Sequence, residues 1–162
     1  VSGTLKVAPE HISDKVLSCM RKPSKDTFTC FVKKYKSANE KLGLKQYLIP
    51  YLISSHPGSS LEDAVELALF LKNYGFVPDQ VQDFYPTPGT LATCMYYTGL
   101  DPFTMRKIHV ARTMEEKKMQ RALLHFHKKE NRAAVKKALE KIGRSDLFYQ
   151  LTSQKHHKNK RM

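Results

Sequence analysis

The sequence predicts an α/β fold built on a parallel sheet of about three strands. Two apolar, strand-like runs, residues 46–53 and residues 81–85, are each followed by a polar turn that contains the dipeptide Pro-Gly. A helix with a clear apolar stripe lies between them, and another strand and two helices come first along the chain. Strands that alternate with helices at this spacing form a parallel sheet with right-handed crossovers. In such sheets, ligands bind at the turns that follow the strands.

The first strand is predicted over residues 4–8, where apolar and polar residues alternate. A short helix follows, with Ser13 as its N-cap, and it ends before Pro23. Ser24 then opens a longer helix whose apolar residues recur at steps of three and four positions. Gly43 is a natural C-terminal cap for that helix.

The second strand, residues 46–53, is almost continuously apolar, which suits a strand covered on both faces. Pro50 lies inside it and indicates a bulge or bend, because proline has no N–H group for the ladder. Ser59 and Glu62 are spaced as a capping box that starts the next helix. That helix is predicted to continue to Gly75.

After residue 90 the alternation of strands and helices stops. Residues 91–97 and residues 106–112 are rich in β-forming residues and are predicted as strands of a small antiparallel or irregular patch. From Ser153 onward the sequence is polar and basic, so a disordered tail is expected.

The remaining C-terminal sequence is predicted to be helical. Thr113 and Glu116 form another capping box, followed by an apolar stripe. A further helix is predicted from Asn131 to Gly143, and residues 147–151 form a last helical turn.

The composition favours an anionic partner and a reducing compartment. The chain has 28 Lys and Arg against 15 Asp and Glu, a formal charge of +13, which suits nucleic acid, phosphorylated ligands or an acidic protein surface. Cys19, Cys30 and Cys94 are an odd number without close pairing, so we expect a cytoplasmic location without disulfides. No run reaches the roughly 18 apolar residues of a membrane span, and no signal peptide is visible. We interpret the start at Val1 as a boundary inside a larger protein.

Four stretches of the sequence carry a family resemblance: Leu5-Lys-Val-Ala-Pro-Glu-His11, Gln46-Tyr-Leu-Ile-Pro50, Ser54-Ser-His-Pro-Gly58 and the stretch from Val81 to Asp101. They resemble the YgiQ-like branch of the radical S-adenosylmethionine enzymes, an uncharacterised group. The most specific part is Gln-Asp-Phe-Tyr-Pro-Thr-Pro-Gly-Thr-Leu-Ala-Thr, at residues 82–93. The resemblance covers nearly the whole chain except the tail. The order of the stretches fits the fourth, fifth and sixth strands of a barrel, each followed by its turn.

The resemblance implies a particular architecture. Residues 1–90 would be the C-terminal half of a (β/α) barrel, with about three parallel strands and their helices. Residues 91–152 would form a mainly helical C-terminal extension, and residues 153–162 the disordered basic tail.

The resemblance also implies two cofactors, S-adenosylmethionine and a [4Fe–4S] cluster, in the intact protein. The motif that defines the family, Cys-x-x-x-Cys-x-x-Cys, holds the cluster on three thiolates and is not in this sequence. In the family it follows the first barrel strand, upstream of the part that this chain resembles. We therefore expect this chain alone to bind neither cofactor and to have no radical activity.

The cofactor-binding residues implied by the resemblance, with His56 added from its position in the turn, are Glu10, His11, Ser13, Ile53, Ser54, Ser55 and His56. The turn after the fourth strand meets the ribose or amino-acid part of S-adenosylmethionine, and the end of the fifth lines its adenine and ribose. Many members have Gly in place of Ser55, which puts a close backbone approach there in question. The turn of residues 85–89 would close the pocket on the sixth-strand side.

Two of these residues have a chemical role that can be weighed against a structural one. A Glu10 carboxylate accepts hydrogen bonds from both hydroxyls of a ribose diol, or else Glu10 is a polar residue of a strand-to-helix turn. His56 is a ligand contact or a proton carrier, or else a loop histidine fixed by its proline neighbour.

Two functions therefore fit the sequence. The first is part of a radical S-adenosylmethionine enzyme that contributes to the cofactor and substrate pocket, with an unknown substrate and no activity alone. The alternative is a basic module that binds RNA or another polyanion. Aromatic side chains that could stack on bases lie close to basic residues: Tyr96, Tyr97 and Phe103 near Arg106 and Lys107. No recognised nucleic-acid-binding module is present, and no membrane partner is expected.

Overall fold

The computed structural model describes residues 3–78 and 81–153. Its sheet has three parallel strands in the order β1-β2-β3. The strands are β1 (Thr4–Glu10), β2 (Tyr47–Ser54) and β3 (Val81–Asp83). The helices that connect them are α1 (Asp14–Cys19), α2 (Lys25–Lys41) and α3 (Leu61–Tyr74).

A helical region follows β3. It consists of α4 (Leu91–Thr98), α5 (Met114–Leu124), a 3-10 turn (Lys129–Asn131), α6 (Arg132–Lys141) and α7 (Leu147–Thr152). The predicted fold class, a partial β/α unit followed by a helical extension, is confirmed. Residues 154–162, most of the predicted tail, lie outside the described residues.

One face of the sheet is covered by helices and the other is only partly covered. Side chains alternate along a strand, and Leu52 on β2 and Val81 on β3 are paired and point into the core with α3, α5, α6 and α7. That core is continuous, so the extension and the strand region share one apolar interior. On the opposite face of β2, Tyr51 and Ile53 are half-buried and Tyr47 is 67% exposed. The expectation that both faces of this strand are covered therefore holds for one face only.

The irregularity predicted at Pro50 of β2 is present, but it lies in the neighbouring strand β1. The register of β1 against β2 shifts between Val7, which pairs with Pro50, and Glu10, which pairs with Leu52. Since Pro50 cannot donate to the ladder, the pairing is interrupted at this point.

The prediction of a strand at residues 91–97 is wrong, because these residues form α4. Thr90 caps the helix by accepting a hydrogen bond from the Thr93 N–H group, and Gly99 ends it with a φ of 70°. The two caps outweigh the strand preference of the residues between them. The strand predicted at residues 106–112 is reduced to one isolated bridge between Leu100 and Lys107.

The helix starts agree with the sequence, with one shift. Thr113 accepts from the Glu116 N–H group at the start of α5, as the sequence indicates. The capping box of α3, however, uses Ser60 and Asp63, one position after the predicted pair. The predicted cap Ser59 is buried and contacts α5 instead.

Candidate functional site

The loops that follow the three strands lie along one edge of the sheet, because the strands are parallel and adjacent. The Phe84 N–H group, just after β3, donates to the Ser54 carbonyl at the end of β2 (2.8 Å). The rings of His56 and Phe84 then meet edge to face, with centroids 5.3 Å apart. The β1 loop joins this edge through Ser13, whose hydroxyl donates to Asp63 at the start of α3 (2.7 Å).

An open cleft of about 440 Å³ lies between the β2 and β3 loops. This volume is within the range of small-molecule sites. Its wall is part apolar and part polar, formed by Ile53, His56, Gln82, Asp83, Phe84, Tyr85, Thr87, Thr90 and Ala92. Apolar side chains, aromatic rings and one side-chain amide in the same cleft are suited to a nucleoside-like ligand.

The structure places two of the seven predicted site residues, Ile53 and His56, in the wall of this cleft. Ser54 and Ser55 are buried just beneath it, and the Ser54 hydroxyl donates to the Asp83 carboxylate (3.1 Å). These two serines support the strand end and do not line the cleft.

The other three predicted residues belong to the β1 loop. Glu10 has its carboxylate 3.6 Å from the Lys22 ammonium group. His11 and Ser13 are buried. The structure therefore brings the β1 loop to the same edge of the sheet but does not bring these three side chains into the cleft.

Two of the predicted residues have left-handed backbone conformations. Glu10 has a φ of 65° and Ser55 a φ of 60°, both at the carboxyl end of a strand. This region is costly for residues with a Cβ atom and is occupied where the surrounding structure fixes it. Both strand ends are thus held in place by tertiary contacts.

The two buried histidines near the cleft are neutral around pH 7. Burial lowers the pKa of His11 to about 4, and its Nδ1 accepts a hydrogen bond from the Ser13 N–H group (3.0 Å). Burial also lowers the pKa of His56, although the hydrogen bond to the Pro57 carbonyl opposes this. Because a neutral His56 donates to that carbonyl through Nδ1 (2.8 Å), its Nε2 is an acceptor.

Asp63 is the anchor of the polar cluster behind the loops. Its carboxylate accepts from the Ser13 hydroxyl, from the N–H and hydroxyl of Ser60, and from the Lys15 ammonium group at 2.7 Å. Burial acts to raise the pKa of Asp63, but the hydrogen bonds from Lys15, Ser60 and Ser13 outweigh it and lower the pKa. Asp63 is therefore an ionised, buried acceptor.

A residue that sequence reasoning missed, Gln120 on α5, holds the loop after β2. Its Oε1 accepts from the Ser55 N–H group (3.2 Å) and the Ser59 hydroxyl (3.1 Å), and its Nε2 donates to the Ser59 carbonyl (2.9 Å). The available signal was a glutamine inside the apolar stripe of α5, next to Met119.

Metal ligation has no support in the described part of the chain. No group of three or more His, Cys, Asp or Glu residues is arranged there to hold a metal ion. Cys19 is buried, while Cys30 and Cys94 are exposed, and all three are free thiols. None of the described helices has the length and apolar character needed to cross a membrane.

The fold and cleft define a class: an α/β protein with a partial parallel sheet and a ligand-sized cleft at its strand ends. Residues 79–157 match the family described as "Domain of unknown function (DUF3362)". The chain is 56% identical over 148 residues to a protein named "UPF0313 protein" from Clostridium botulinum (strain Okra / Type B1), and 56% identical to a namesake from Clostridium perfringens (strain ATCC 13124). Each alignment covers 91% of this chain but only 23% and 22% of the relative. The chain thus spans less than a quarter of the length of these relatives.

Proposed function

We propose that this chain is part of a YgiQ-like radical S-adenosylmethionine enzyme and forms one wall of its cofactor and substrate pocket. The observation that carries the proposal is the cleft between the β2 and β3 loops, where Ile53 and His56 meet the most family-like run, residues 82–93. The order of the parallel strands supports it, as does the similarity to relatives about four times as long.

The uncovered face of the sheet also supports the proposal. Tyr51 and Ile53 are half-buried there, and the Lys6 ammonium group lies over the Tyr51 ring (5.8 Å). Three parallel strands cannot close a barrel, and the inner face of a barrel needs strands from both halves to cover it. A face that carries apolar, aromatic and basic side chains suits the interior of a barrel that other strands of a longer protein complete.

The residues of the cleft fit the nucleoside part of S-adenosylmethionine. Ile53 and Phe84 offer apolar surface to an adenine ring, while Gln82 and the Nε2 atom of His56 offer polar contacts. When bound, the cofactor would supply the radical chemistry that abstracts hydrogen from a substrate. The described residues hold no set of three cysteines that could bind a [4Fe–4S] cluster, so other residues of the longer protein would hold it. The three free thiols suit a reducing compartment such as the cytoplasm.

The test is cofactor binding by the longer protein, prepared without oxygen. We expect bound iron and saturable binding of S-adenosylmethionine, measured by equilibrium dialysis. Gln82→Trp fills the cleft from an exposed position and should weaken this binding at least tenfold. Gln150→Trp, at an exposed position on α7, is the matched control and should leave the binding unchanged. Iron-loaded protein that does not bind the cofactor, or equal affinities in both variants, would contradict the proposal.

A second candidate, binding of RNA, has one specific observation in its favour. The Tyr96 ring lies 5.1 Å from the Lys117 ammonium group and 5.7 Å from the Arg112 guanidinium group. Its neighbour Tyr97 is 68% exposed and so offers a ring on which a base can stack.

RNA binding can be tested with this chain by itself. Affinity for mixed RNA should fall steeply with salt, and Tyr97→Ala should weaken it, whereas Tyr47→Ala, which removes an equally exposed tyrosine from the sheet, should not. No measurable binding at low salt would eliminate this candidate.

A further inference from the structure

We propose that Gln120 is a positioning residue that sets the conformation of the β2 loop, and that ligand binding in the cleft depends on it. The ligand part of this inference rests on the proposed function. It also gives a physical role to the region of residues 79–157, the domain of unknown function. In this role, the region holds the loop of a neighbouring pocket in its binding conformation.

The contacts of Gln120 are specific to a primary amide. Its side chain is 1% exposed. It accepts from the N–H group of Ser55, the first residue of the loop between β2 and α3 (residues 55–60), and donates to the carbonyl of Ser59 near the end of that loop. A side-chain amide offers an acceptor and a donor on one rigid group. One residue of α5 thus fixes the distance between two loop residues four positions apart.

The conformation held in this way is one that the loop would not readily keep by itself. Ser55 has a φ of 60°, an uncommon conformation for a serine, and it persists only where surrounding contacts fix it. The next residue, His56, lines the cleft. Loss of the bond to the Ser55 N–H group would therefore move the histidine that faces the ligand.

A second contact from the same region acts on the middle of the loop. The Gly58 N–H group donates to the His109 carbonyl across 2.7 Å. His109 precedes α5, and its ring pairs with the Glu116 carboxylate on that helix. The extension thus holds the loop at residues 55 and 59 through a side chain and at residue 58 through the backbone.

The first test measures hydrogen exchange in this chain by itself. Gln120→Met keeps the volume of the side chain but removes its hydrogen bonds, and Gln150→Met is the exposed control. In Gln120→Met, the amides of residues 55, 56, 58 and 59 should exchange at least tenfold faster, while those of residues 64–71 in α3 should keep their wild-type rates. Unchanged loop exchange, or the same increase in the loop and α3, would overturn the positioning role.

The second test measures ligand affinity in the longer protein. Gln120→Met should raise the dissociation constant for S-adenosylmethionine about tenfold, with the iron content unchanged. An unchanged dissociation constant would overturn the inference, even if loop exchange increases. A wild-type protein that binds no S-adenosylmethionine would overturn the proposed function, and hydrogen exchange would still decide whether Gln120 positions the loop.

Discussion

The Ser13 hydroxyl donates to Asp63 Oδ1 across 2.7 Å, although the two residues are 50 positions apart in the sequence. Ser13 stands at the start of α1, and Asp63 lies in the first turn of α3. The bond therefore ties the β1 loop to the helix that follows the β2 loop. Ser13 leaves its own helix uncapped to do so, since its side chain makes no capping bond.

We predict that Asp63→Asn destabilises the chain. The substitution removes the charge that pairs with Lys15 and one of the acceptors used by Ser13 and Ser60. Leaving a buried polar group without its partner costs about 1–3 kcal/mol, and we expect a loss of that size in urea unfolding at pH 7. Glu62→Gln, at the exposed neighbouring position, is the control and should change the unfolding free energy by less than about 0.5 kcal/mol. Equal effects of the two substitutions would show that the cluster does not contribute to stability.

The buried imidazole of His11 predicts a pH dependence of stability. Its folded-state pKa of about 4 lies below the ordinary 6.5, so the unfolded chain binds more protons between these values. The stability that His11 contributes is therefore complete above pH 6.5 and is lost as the pH falls towards 4, with a total on the order of 3 kcal/mol.

Unfolding in urea at pH 7.5 and pH 5 measures this contribution. His11→Gln removes the titrating group, so its stability should change less between the two pH values than that of the wild type. The imidazole signals of His11 in an NMR titration should also show no protonation until the pH approaches 4. A titration midpoint near pH 6.5 would contradict the lowered pKa of His11.

The elements that sequence reasoning predicts correctly are those whose signals are local. Ser24 and Gly43 mark the ends of α2, and Gly75, with a φ of 70°, ends α3 as expected. The wrong prediction of a strand where α4 lies has a local cause too. Its Thr and Tyr residues favour strands in isolation, whereas the caps at Thr90 and Gly99 favour a helix, and the caps decide in a segment of eight residues.

The candidate site is only partly predictable from the sequence, because its decisive contacts join distant parts of the chain. The positions of Ile53 and His56 in the cleft wall can be predicted from the sequence, because both lie at the end of β2. Gln120 contacts Ser55 across 65 sequence positions, and no local pattern states which buried backbone group a glutamine will meet. A polar residue at an apolar position of a helix indicates that a partner exists but does not identify it.

The three thiols should differ in reactivity. Burial, together with the nearby Asp101 carboxylate, raises the pKa of Cys19, and its side chain is buried while Cys30 and Cys94 are exposed. Since the thiolate is the reactive form, a disulfide reagent such as DTNB should modify two thiols quickly at pH 8 and the third only after unfolding. Cys19→Ala should keep both fast reactions and lose the slow one. Rapid reaction of all three thiols in the folded protein would show that Cys19 is accessible.

Gly58 should be intolerant of substitution, because two separate effects act there. Its φ of 98° is strained for any residue with a Cβ atom, and a Cβ atom added to it would lie 2.7 Å from the Cys19 Sγ atom. Gly58→Ala should therefore destabilise the chain by about 2–4 kcal/mol. Gly43→Ala is the matched control, since its φ is 61° and nothing lies within 4 Å of the added atom; it should cost about 1 kcal/mol.

The double variant Gly58→Ala with Cys19→Ala separates the two effects. Removing the sulfur relieves the 2.7 Å contact but leaves a 3.2 Å contact with the Cβ atom of residue 19 and the backbone strain. The double variant should therefore be less destabilised than the sum of the single variants. We expect a coupling of about 1–2 kcal/mol in urea unfolding. Additive losses of unfolding free energy would mean that the Cys19 side chain on α1 does not collide with an alanine at position 58. In that case the cost of Gly58→Ala would come from the backbone strain at a φ of 98° alone.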